Sequence, residues 1–184
     1  LALALTPAFK MKFWNCGAEG QALMGGLASM VCMIELGNKL PYPVLMLVIV
    51  ITSIVAGAIW GLIPAIFKAW FNTNETLFTL MMNYIATQII AYYVYAKGGG
   101  SNVINPVEYG NFPAVGGNDY FVNIMIVVLI TVAMYIYLKY SKQGYEISVV
   151  GESQNTARYI GINVKKVIIR TMLISGAVCG ITGM

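Results

Sequence analysis

Three stretches of this chain contain no charged side chain: Leu40 to Phe67, Thr76 to Ala96 and Tyr120 to Leu138, of 28, 21 and 19 residues. At about 1.5 Å of rise per residue, even the shortest makes a helix about 28 Å long, close to the roughly 30 Å hydrocarbon core of a bilayer. A Lys or Asp at the centre of such a helix costs on the order of 3 kcal/mol on the insertion scale, so charge confined between the runs is what insertion demands. A large soluble protein with buried helices fits poorly, because such helices seldom exceed roughly 18 residues without a polar face. Composition agrees. Charged residues are 10% of the 184 and apolar residues 59%, against roughly 25% charged in soluble domains.

The expected fold is an all-α polytopic membrane protein, one transmembrane domain over residues 1–184 with about five transmembrane helices, one of them discontinuous, and a short cytoplasmic helix. Spans are expected near 17–35, 42–63, 76–96, 120–139 and 169–184. The first is the least complete, because Gly20 to Ile34 gives only 15 uncharged residues between Glu19 and Glu35. The chain begins with Leu inside an apolar stretch and ends inside another, so it reads as a fragment with further spans on both sides.

Orientation follows from the cations. If the spans alternate, Lys10, Lys12, Lys68, Lys139, Lys142, Arg158, Lys165, Lys166 and Arg170 share one side, and only Lys39 and Lys97 lie on the other. The basic side is cytoplasmic by the positive-inside rule. The stretch from Lys139 to Arg170 alone gathers six of the eleven basic residues, making 140–168 a cytoplasmic loop. The segment 97–119, rich in Gly, Asn and Pro, is then an outward irregular loop. Tyr92, Tyr93 and Tyr95 just before it read as interface anchors.

Several chemistries are excluded within this sequence. It has no His, hence no His-based triad, His metal site or pH switch near neutrality. Cys16, Cys32 and Cys179 are not spaced as metal ligands and read as packing residues. A GxxxxGK[ST] phosphate loop is lacking too, so no nucleotide hydrolysis of that kind is expected from this chain. Neither a catalytic residue, a bound cofactor nor a nucleic-acid partner is expected.

Polar residues within the apolar runs are the candidate functional groups. Asn15, Glu19 and Gln21 sit in the Gly-rich segment Asn15 to Gln21. A helix break at membrane depth is tolerated only against protein or a water-filled cavity, which is how discontinuous helices build transport sites. The alternative puts Glu19 at the cytoplasmic surface, in the first turn of a helix beginning near Gly17. Thr79, Asn83 and Thr87 recur every fourth residue and form a stripe that either bonds to neighbouring helices or lines a polar passage. Gly57 with Gly61, and Gly176 with Gly180, are GxxxG pairs that let backbones approach. In the basic loop, Ser153 is placed to cap a helix of about two turns, Gly161 to close it in the left-handed conformation, and Arg158 to favour its C-terminal dipole. So short a helix needs a surface to lie on. Asn163 can cap the helix that follows, with Lys165, Lys166 and Arg170 at the headgroups.

Three motifs occur in order: FWNCGAEGQ at Phe13 to Gln21, KAWFNTNETLFTLMMNYIA at Lys68 to Ala86, and GESQNTARYIGINV at Gly151 to Val164. Together with SGAVCGITG at Ser175 to Gly183, they make the whole chain resemble the permease subunits of bacterial ABC importers for nucleosides and simple sugars. The resemblance implies a plasma-membrane subunit that forms the path for the solute and hydrolyses nothing. ATP would be used by cytoplasmic ATP-binding subunits, a second permease chain would complete the pair, and an extracellular substrate-binding lipoprotein would deliver the solute. It also implies that the 154–160 helix is the coupling helix, with Ser153, Ala157, Arg158, Tyr159 and Gly161 as coupling residues. The GAEGQ segment then resembles an interrupted helix beside the translocation path, drawing Asn15, Glu19 and Gln21 into the site with Thr79, Asn83 and Thr87. Alternatives are a branched-chain amino acid permease of shared architecture and a structural membrane protein that transports nothing.

Overall fold

The computed structural model describes residues 1–101, 103–104, 110 and 120–184. Among these, the chain forms helices α1 (Ala2–Lys10), α2 (Ala18–Leu36), α3 (Tyr42–Phe71), α4 (Glu75–Lys97), α5 (Phe121–Tyr140), α6 (Lys142–Glu152), α7 (Gln154–Tyr159) and α8 (Val164–Thr182), and no strand. Most of the expected outward loop, 97–119, falls outside the described residues.

Local sequence explains the helix ends. Pro41 and Pro43 open α3, where a missing N–H is harmless, and Asn72 closes it at φ 50° in the left-handed region. The Asn74 side chain caps α4 by accepting from the Thr76 and Leu77 N–H groups at 3.1 and 3.3 Å. A Lys68–Glu75 ion pair of 2.7 Å clasps the α3–α4 turn. Helix α6 lies within the 140–168 segment expected as a loop. Ser141 caps it by accepting from Gly144 N–H at 2.9 Å, and Ile147, Val150 and Gly151 give it a buried face at helical spacing.

Helices α3, α4 and α5 are long and apolar enough to cross a membrane. Their exposure is inverted relative to a soluble protein. On α5 only Met134 is buried, while Ile124, Val127, Val128 and Leu129 stand exposed. Many of the residues turned inward elsewhere are small or polar, among them Ser29, Ser53, Thr79 and Ala86, beside a few large apolar ones such as Leu45 and Ile49. In hydrocarbon the hydrophobic effect gives helices no reason to associate, so packing must come from close backbone approach and hydrogen bonds.

That approach occurs where α3, α8 and α2 meet. A Cβ built on Gly176 would lie 2.6 Å from the Gly57 carbonyl oxygen, and one on Gly25 would lie 2.5 Å from that of Gly180. Ser53 Oγ donates to the Gly180 carbonyl at 2.5 Å. The two GxxxG pairs are therefore halves of one seam.

A second cluster sits at one end of the array. It joins Ala8 and Met11 with Phe13, Ala65, Ile147, Val150, Ala157, Val164, Val167, Ile168 and Met172. Lys10 Nζ donates to the Leu138 carbonyl at 3.4 Å, tying the end of α1 to the end of α5. The nine cations grouped by the sequence reading lie on or beside segments that converge on this end. Lys97 instead pairs with Glu35 where α4 and α2 finish.

Candidate functional site

The break between α1 and α2 is held by α4. Gly17 offers α2 no side-chain cap, and the first N–H groups of any helix lack partners within it. Asn83 supplies one from across the gap: its Oδ1 accepts from Gly20 N–H at 2.8 Å, and its Nδ2 donates to the Cys16 carbonyl at 2.8 Å. One turn earlier, Thr79 Oγ1 accepts from Cys16 N–H at 3.1 Å. Only glycine permits this contact, because a Cβ on Gly20 would come within 2.7 Å of Asn83 Oδ1.

Asn15 and Gln21 are each 1% exposed behind this contact. Asn15 Oδ1 accepts firmly from Gly17 N–H at 3.0 Å, whereas the Asn15–Gln21 amide pair spans 3.4 and 3.5 Å, the edge of hydrogen-bond reach. Glu19 lies in the first turn of α2 and is exposed. Among the described residues it is the one charged side chain lining a groove of about 420 Å³ between α2 and α4, otherwise walled by residues such as Leu23, Leu27, Ile90 and Val94. Thr87 is exposed, bonds back to the Asn83 carbonyl at 3.0 Å, and shares the α4 face that carries Asn83, Ile90 and Val94. Thus Asn15, Gln21 and Thr79 are enclosed, while Glu19, partly exposed Asn83 and Thr87 face outward from the same junction.

Three further buried polar groups were not singled out from sequence, one of them beside this junction. The Trp60 indole N–H is shut from solvent without a partner among the described residues, and a Cβ on Gly20 would sit 3.3 Å from it. Pro64, one turn on, has no N–H to give the Trp60 carbonyl. Thr171 and Ser175, on one face of α8, are fully buried, and their hydroxyls have no partner among the described residues. Their i, i+4 spacing was the available signal.

At the basic end, α7 is built as the punctuation of its sequence predicts. Ser153 Oγ accepts from Thr156 N–H at 3.3 Å, Gly161 takes φ +84°, and Asn163 Oδ1 accepts from Lys166 N–H at 3.2 Å to start α8. Ala157 is 0% exposed within the basic-end cluster and seats the helix. Arg158 is exposed and Tyr159 is 91% exposed, so α7 presents both outward.

A family described as the permease component of the branched-chain amino acid transport system matches residues 1–184. This chain belongs to that permease family. Among its relatives, the guanosine ABC transporter permease NupP of Bacillus subtilis is 32% identical over 98% of this chain and 54% of its own length. The nucleoside ABC transporter permease NupB of Lactococcus lactis is 27% identical over 100% of this chain and 54% of its own. For the glucose ABC transporter permease of Haloferax volcanii the figures are 26%, 99% and 52%. The permease chain described here therefore spans about half the length of the curated relatives it matches. No solved structure matches it.

Proposed function

We propose that this permease chain forms part of the transmembrane path of an ATP-driven importer for a nucleoside or a simple sugar. The observation that carries the proposal is α7: two turns of helix capped at both ends, anchored through Ala157, and turning Arg158 and Tyr159 away from the protein at its most basic end. Tyrosine and arginine are the residue types in which the energetic centres of interfaces are enriched. The names of the guanosine, nucleoside and glucose permeases support an ATP-binding subunit as that partner.

In this reading the basic end is cytoplasmic. Ser153 and Gly161 fix the ends of the coupling helix, and Arg158 and Tyr159 engage the ATPase. Closure of the ATPase pair on ATP moves α7, and α6 and α8 carry the displacement to the seam with α3, switching access from one side of the membrane to the other. The solute passes the junction of α2 and α4, where Glu19, Asn83 and Thr87 are the accessible polar groups and Asn15, Gln21 and Thr79 hold the break in shape. Holding is weak, since transport needs release as well as entry. A second permease chain and an extracellular binding lipoprotein complete the assembly.

The family's description raises a branched-chain amino acid as the alternative solute. A zwitterion needs both a cation and an anion to meet it, and the groove offers Glu19 alone, which favours an uncharged, hydroxyl-rich solute. The test is Arg158→Glu in the assembled full-length complex. Solute-stimulated ATP hydrolysis should fall at least tenfold with the chain still inserted; undiminished hydrolysis would remove α7 from coupling.

A further inference from the structure

Beside α7 lies a cavity that the transport reading does not use. It has a volume of about 280 Å³ and lies between α6, the 160–163 connection and α8, where Lys142, Lys166, Arg170 and Glu146 line it together with Ile160 and Val167. Its charge does not balance. Glu146 is already taken by Arg170 Nη2 at 2.8 Å, and among the described residues Lys142 and Lys166 have no ion-pair partner. Arg170 keeps a second N–H, at Nε, shut from solvent and without an acceptor among the described residues. Three cations against one carboxylate leave a net charge of +2 in a concave site with an apolar wall.

The cavity sits where a headgroup would be. Lys142 follows directly on the end of α5, where exposed Tyr135 and Tyr140 flank Lys139, whose Nζ stands 5.1 and 5.5 Å from the two ring centroids. Such a girdle of tyrosine and lysine marks a membrane–water boundary. Tyr137, on the same turn, donates to Gln143 Oε1 at 2.9 Å and so joins α5 to α6 beside the cavity. A basic pocket between helices at the cytoplasmic boundary has the chemistry of a phospholipid headgroup site.

We propose that this cavity binds the phosphate of an anionic phospholipid, held by Lys142, Lys166 and Arg170, with Ile160 and Val167 against its glycerol portion. The inference rests on the cytoplasmic placement of the basic end. Its consequence is that the lipid braces α6 against α8 beneath the coupling helix, making ATPase coupling depend on the anionic lipid content of the membrane.

The experiment is mass measurement of the purified full-length complex after exposure to phosphatidylglycerol, phosphatidylcholine or inorganic phosphate. The parent complex should retain phosphatidylglycerol in preference to phosphatidylcholine, and millimolar phosphate should not displace it. Lys142→Gln and Lys166→Gln should each weaken retention about fivefold, as expected for a lysine near an anionic surface. The paired Lys142→Arg and Lys166→Arg variant, which keeps both charges, should retain the lipid. Equal retention of phosphatidylcholine, displacement by free phosphate, or undiminished retention in a variant carrying both Lys142→Gln and Lys166→Gln would each overturn the proposal. So would loss of the ATP-binding subunit from this double variant with its lipid still bound, which would make the occupant a protein carboxylate. Lipid retention is read without transport, so its failure is distinguishable from failure of the importer reading, which Arg158→Glu tests.

Discussion

Asn83 does the work of an N-cap from another helix, and this decides what its substitution will do. Leucine at this position would strand the Gly20 N–H and the Cys16 carbonyl, both of which it now satisfies at 2.8 Å. Gly20 is buried, and a buried polar group left unpaired costs about 1–3 kcal/mol, so through its N–H alone Asn83→Leu should lower the stability of the purified subunit by about that amount and reduce uptake as well. Thr87→Val is the control. Among the described residues its hydroxyl bonds only to the Asn83 carbonyl within its own helix, and the substitution should shift stability by no more than about 0.5 kcal/mol. Thermal unfolding of both variants in one detergent distinguishes a bracing Asn83 from one that only touches solute. The recurrence of Thr79, Asn83 and Thr87 was legible in the sequence. That two of the three would satisfy the backbone of the 16–20 segment was not, because no local pattern tells a residue which distant chain it will meet.

Among the elements, the α3–α8 seam and α7 differ in what fixes them. The seam depends on absence of side chains: a Cβ on Gly57 would come within 2.6 Å of the Gly180 Cα, backbone that cannot yield. Gly57→Leu should therefore separate the helices at a cost of about 3 kcal/mol or more, seen as rapid proteolysis of the membrane-inserted subunit. By contrast α7 depends on its caps. Ser153→Ala removes the 3.3 Å bond to Thr156 N–H and should cost about 1 kcal/mol of local stability. In the assembled complex it should weaken ATPase docking without altering the spans, as hydrogen exchange confined to 153–161 would report. The punctuation of α7 could be read directly, because caps are local. Helix α6 was hidden for the converse reason. Its cap, Ser141, and its buried face were present in the sequence, but the surrounding cations drew that segment into a loop, and its packing partners Met11 and Val167 lie far away in the chain.

For the whole molecule, everything proposed of α7 depends on which end meets the cytoplasm. The end that gathers Lys10, Lys139, Lys142, Arg158, Lys165 and Lys166 is built by short helices packed around the second cluster, while α2 and α4 finish at the other, where Glu35 pairs with Lys97. Each lysine or arginine carried across during insertion is costly, and the bias is counted over short loops, so one end must stay behind. Cysteine labelling with a membrane-impermeant reagent measures this directly. With the exposed Cys16 replaced by serine, a cysteine at Asn155 should react only when the inner face is opened. A cysteine at Ser101, just past the end of α4, should react in intact cells. Reaction at Asn155 from outside would invert the molecule, place α7 away from any ATPase, and leave the headgroup cavity facing the wrong leaflet.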